Sequence, residues 1–115
     1  MNRKVIYIAG PFRGETAWDV EQNIRRAEEA ALYVAKCGHV ALCPHTMNRF
    51  FNGTLTDDYW IEATLELLQR CDAILLLDGW TNSEGARGEY AAARERNMPW
   101  FVDDVSLSLW LEKVE

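Results

Sequence analysis

Residues 72–93 read "DAILLLDGWTNSEGARGEYAAA". Ala73 to Leu77 form an unbroken apolar run, the pattern of a strand covered on both faces. Asp78 and Gly79 end the run. Ser83 then opens a helix as a natural N-cap, with Gly85 in its first turn. Glu89 lies one turn into that helix. Its neighbours at i−4, i+3 and i+4 are Gly85, Ala92 and Ala93, a small-residue face, while Arg87 and Arg94 lie elsewhere. Helical spacing therefore aims Glu89 at the strand ends. Partial burial there raises a carboxyl pKa, and a hydroxyl or N–H restrains the group. The plainer alternative is a capping or salt-bridging Glu.

Working outward, the same alternation of strand and helix continues in both directions. "KVIYIA" (4–9) reads as a buried strand ended by "GPFRG". The following segment repeats Val20, Ile24, Ala27, Ala31 and Val34 at helical spacing, with Thr16 and Asp19 as a capping box and Gly38 as the stop. "HVALCP" is a short strand, and "HTMNRFFNGTLTDD" a long polar-aromatic loop of the kind that is usually functional or mobile. "DDYWIEATLELLQRC" is a helix with Trp60, Thr64, Leu67, Leu68 and Cys71 on one face and Asp58, Glu62, Glu66 and Arg70 on the other. After the helix "SEGARGEYAAARERN" come a strand in "MPWFVDD" and a last helix in "SLSLWLEKV". Such alternation implies right-handed βαβ units. The expected fold class is α/β, a Rossmann- or flavodoxin-like three-layer domain with a parallel sheet of four to five strands. Residues 1–115 read as one domain.

Composition narrows the function. Hydrophobic residues make up 49% of the chain, enough for a core, and a net charge of −6 argues against a nucleic-acid polymer or an anionic membrane surface as partner. No apolar stretch approaches a membrane span, and the N-terminus lacks the pattern of a signal peptide. Cys37, Cys43 and Cys71 are odd in number and scattered, which fits reduced thiols in a cytoplasmic protein. Cys43 and His45 have no second pair at ligand spacing, so neither a metal nor another cofactor is expected.

In parallel α/β sheets ligands bind at the carboxyl ends of the strands. The segments there are "GPFRG", the loop after "ALCP", and "DGWTNSEGARGE". The first lacks both the third glycine of a dinucleotide fingerprint and the Gly-Lys-Ser/Thr of an NTPase loop. It offers an anion the backbone at Gly10 and Gly14 and the charged fork of Arg13; a tight turn with a surface Arg reads the same way. The helix start at Ser83 and Gly85 is the stronger anion site, through free N–H groups and the helix dipole. Phe12 and Trp80 follow strand ends and are placed to sandwich a base. Trp60, Trp100 and Trp110 read as core or interface. His45 and Asn48 fit either ligand contact or structure.

"YIAGPFRG", Asn23 and Ala27, Gly38 and Pro44, and "CDAILLLDGWTNSEGARGEYAAA" together resemble the nucleoside 2-deoxyribosyltransferase family, over about residues 4 to 102. The small branch of 2′-deoxynucleoside 5′-monophosphate N-glycosidases is similar in size. The resemblance implies that Glu89 attacks C1′ of the sugar, that Tyr7 orients it, and that Arg13, Gly14, Ser83 and Gly85 hold a 5′-phosphate; Gly10, Pro11, Phe12 and Trp80 complete the expected substrate-binding set. A glycosyl ester then passes to water or to a second base. Where the family commonly carries an acidic residue in the second long helix, this chain has Thr64; Asp78 and Asp58 are the nearest substitutes for protonating the base. The implied partner is a small-molecule nucleotide or nucleoside. A neighbouring subunit is expected to complete the pocket in a homodimer, with Trp110 of "PWFVDDVSLSLWL" at the interface. The alternatives are a non-catalytic nucleotide-binding module of the same fold and a protein-interaction domain.

Overall fold

The computed structural model of the protein describes residues 2–47, 51 and 53–113. Four strands form one sheet: β1 (Val5–Ala9), β2 (Val40–Leu42), β3 (Ala73–Leu76) and β4 (Trp100–Phe101). The helices are α1 (Ala17–Lys36), α2 (Pro44–Met47), α3 (Asp57–Leu68), α4 (Glu84–Glu95) and α5 (Asp104–Lys113). The strand order is β2-β1-β3-β4, and every pairing is parallel. This is the expected α/β architecture with a four-strand sheet.

Strand parity sorts the core into two layers. Side chains alternate across a strand, so Ile6 and Ile8 face a cluster with Ala27, Ala30 and Val34 of α1 and Leu107 and Leu111 of α5. Tyr7 and Ala9 face the opposite cluster, with Leu68 of α3 and Ala93 of α4. That parity puts a tyrosine hydroxyl under α3 and α4.

The helix ends follow their local chemistry. Thr16 and Asp19 close a capping box on α1, and Gly38 adopts φ +87 just beyond its end. Ser83 caps α4 by accepting the Ala86 N–H at 3.2 Å. Three boundaries differ from the sequence reading. The loop after β2 begins with a turn of helix, because Pro44 suits a first helical position and the N–H groups of Thr46 and Met47 reach the Cys43 carbonyl. Strand β4 has two residues, paired with Ile74 and Leu75. The last helix starts earlier than "SLSL", because Asp103 accepts the Ser106 N–H at 2.7 Å and so acts as its cap.

The sheet positions a crevice. From β1 the chain passes to β2 on one side and then crosses to β3 on the other, so the two loops leaving β1 and β3 diverge at a topological switch point. Gly10, at the end of β1, brings these loops together: a Cβ there would lie 2.9 Å from Leu77 Cβ.

Candidate active site

A cleft of about 890 Å³ opens at this switch point. Its floor is the β1 loop, Gly10 to Arg13; one wall is the start of α4 and the other is α3, with Pro44 and His45 at the side. Glu89 lines the cleft from α4, as its small-residue face predicts. The Tyr7 hydroxyl, fully buried beneath it, donates a hydrogen bond to Glu89 Oε2. Burial of the carboxyl pushes the Glu89 pKa up to about 7, against a smaller opposing pull from the Tyr7 bond. Burial first, and then the Glu89 charge, hold the phenol far above its ordinary pKa. Tyr7 therefore stays a donor at any working pH. Thr64 stands on the facing helix within hydrogen-bonding reach of the same phenol, and its own hydroxyl donates to the Ile61 carbonyl at 3.1 Å.

Gly10, Pro11, Phe12, Arg13, Ser83 and Gly85 line the cleft. Arg13 forms an ion pair with Asp57 Oδ2 at 2.9 Å across the mouth, with both side chains largely exposed. His45 is buried, its Nε2 bonded to the Pro11 oxygen at 2.9 Å and its ring edge-on to Phe12. Burial lowers its pKa, so the imidazole is neutral and braces the floor. Asn48 lies outside the described residues.

Four expected site residues fall elsewhere. Asp58 and Asp78 are exposed and do not line the cleft, because Asp58 sits on the wet face of α3 and Asp78 in the turn before Gly79. Trp80 packs on Tyr90 at a ring distance of 4.8 Å, because Gly79, at φ +86, turns the chain into a short 3₁₀ segment, Trp80–Asn82. Gly14 holds the loop against α1: a Cβ there would lie 2.4 Å from Asp19 Cβ. Trp110 packs on Phe101 of its own chain.

The sequence reading missed other parts of the site. Trp60, read as core or interface, lines the cleft together with Ile61 and Leu65. The Trp60 indole N–H is buried without an acceptor among the described residues. Gly88 lines the cleft three residues after Gly85, a spacing that was legible; space at both positions is empty within 4 Å of a Cβ. Asn23 is buried, and its amide N–H groups bond the carbonyls of Phe12 and Arg13 at 3.1 and 3.2 Å, fixing the floor from α1.

Residues 4–101 match the family described as Domain of unknown function (DUF4406). The chain belongs to this family. No curated protein matches it at a significant level. Among solved structures, it is similar to the 2-deoxyribosyltransferase of the psychrotolerant bacterium Bacillus psychrosaccharolyticus, described as a biocatalyst for nucleoside synthesis. The two share 18% sequence identity at a TM-score of 0.63, over 84% of this chain and 69% of that one. The likeness shows a shared fold. Among the described residues of this chain, no helix is long and apolar enough to cross a membrane.

Proposed function

We propose that the protein binds a (deoxy)nucleoside 5′-monophosphate or a related nucleotide and cleaves or transfers its N-glycosidic bond through Glu89. One observation carries this reading: a half-buried carboxyl, held by a buried tyrosine, lines the cleft at the switch point of the sheet. The Glu89 carboxylate attacks C1′, the base departs, and water or a second base then takes the sugar from the ester. Tyr7 fixes the carboxylate and steadies it as its charge changes. The phosphate lies at the start of α4, against the Ser83 hydroxyl and the Glu84 and Gly85 N–H groups, which have no acceptor within the helix. Arg13 turns from Asp57 to meet it.

The same reading takes residues 1–115 as one domain, working in the cytoplasm as a homodimer. Met47, Phe51, Leu55, Tyr59 and Ile61 are exposed apolar side chains beside the cleft, a surface suited to a second copy. Light scattering at micromolar concentration tests that assembly, and a monomer contradicts it.

Release of free base from deoxynucleoside monophosphates tests the chemistry. Wild type is expected to release base and Glu89→Ala to release none; equal release by both removes Glu89 as nucleophile. A second reading, a nucleotide-binding module without turnover, is favoured by the exposed positions of Asp58 and Asp78 and by Thr64. Calorimetric binding with no base released supports it.

A further inference from the structure

Resting on the glycosidic reading of Glu89, the side chains around it bear on which bases can leave. The wall facing Glu89 is Trp60, Ile61, Thr64 and Leu65, which carry no ionisable group. The Thr64 hydroxyl is shared between the Ile61 carbonyl and the Tyr7 phenol, and an alcohol is no acid for a leaving base. His45 is neutral and its Nε2 is engaged by Pro11. Two further carboxylates line the cleft, both exposed. Asp57 is paired with Arg13. Glu84 precedes Glu89 by five residues, which on a helix means about 7.5 Å of rise and about 140° of rotation away from it. Among the described residues, then, the inner cleft supplies aromatic rings (Phe12 and Trp60) but no acid placed to protonate a leaving base.

We propose that the cleft acts on N-glycosides whose base carries a fixed positive charge, namely N-ribosylpyridinium or N7-alkylpurine nucleotides. For these the missing acid is no handicap. A Glu89 oxygen bonds to C1′, the C1′–N bond breaks, and its electron pair neutralises the cationic ring, which leaves with no proton transferred. Water then bonds to C1′, the ester C–O bond breaks to restore the Glu89 carboxylate, and the water's proton passes to solvent. Before cleavage the cationic ring is held by the faces of Phe12 and Trp60, and the carboxylates of Asp57 and Glu84 at the mouth favour its entry.

The test compares guanosine 5′-monophosphate with its N7-methyl form, and adds nicotinamide mononucleotide, on the full chain. Each rate is divided by the spontaneous rate of that substrate. The N7-methyl and pyridinium substrates are expected to show at least a roughly 10²-fold larger enhancement than the neutral base, the lower edge of what general acid catalysis supplies. Thr64→Asp, which places a carboxyl on the facing wall, is expected to raise the neutral-base rate and narrow that ratio. Equal enhancements, or a larger one for the neutral base, overturn the inference and leave the glycosidic reading standing. No cleavage of any of the three, or cleavage that persists in Glu89→Gln, overturns that reading and this inference with it.

Discussion

Two pairs of glycines border the same cleft, and they do opposite work. Gly10 lies in the floor and Gly14 just behind it against α1, where a Cβ would collide at 2.9 and 2.4 Å with Leu77 and Asp19. Gly85 and Gly88 belong to the α4 wall, where a Cβ would meet nothing within 4 Å. The first pair makes room for the Leu77 and Asp19 side chains and so serves the fold. The second leaves a channel along a helix at a cost in helix propensity, which is reasonable where a ligand fills the space. A glycine in a motif is thus not by itself a sign of ligand contact.

The largest effect expected from this contrast is on the crowded side. Gly14→Ala should lower unfolding stability by about 3 kcal/mol, because overpacking against Asp19 also disturbs the α1 cap; a change near zero in denaturant unfolding would show that the floor yields. Next comes Glu89, on the open wall. Its pKa is about 7 in the fold and 4.5 ordinarily, so the folded state binds more protons between those values. Stability is therefore full below about pH 4.5 and falls as pH rises toward 7. Glu89→Gln removes that loss and should be about 2 kcal/mol more stable than wild type at pH 8, with no advantage at pH 4. An equal difference at both pH values would mean that the carboxyl is not desolvated. The same ionisation makes activity rise with pH through about 7.

Smaller effects sharpen the open side. Gly88→Ala should stabilise the protein by at most about 1 kcal/mol through helix propensity, while weakening nucleotide binding measured by calorimetry. Unchanged binding would mean that the ligand does not run along this wall. Trp60→Phe removes a buried donor that has no acceptor, and should leave stability within about 0.5 kcal/mol of wild type in the same unfolding assay despite the lost ring.

Much of the fold was legible because its signals are local. The apolar run at Ala73–Leu76, the capping box at Thr16 and the N-cap at Ser83 each state an element from a few adjacent residues. Glu89 was legible for the same reason, since its helical face follows from spacing alone. What escaped depends on distant contacts. Trp60 shares its helix face with core leucines, and only the position of α3 across the crevice turns it toward the cleft. Trp80 follows a strand end as Phe12 does, yet Tyr90, on the next helix, draws it away. Asn23 reaches the floor from a different element altogether.

The central claim is that the Glu89 carboxylate forms a bond to C1′ of the sugar. Rapid acid quench of the protein during turnover of a deoxynucleoside monophosphate, followed by intact-mass and peptide mass spectrometry, tests it most directly. The account predicts a mass increase of one deoxyribosyl phosphate confined to the peptide containing Glu89, and none in Glu89→Gln. Base release with no adduct on that peptide, or an adduct on another side chain, would contradict it.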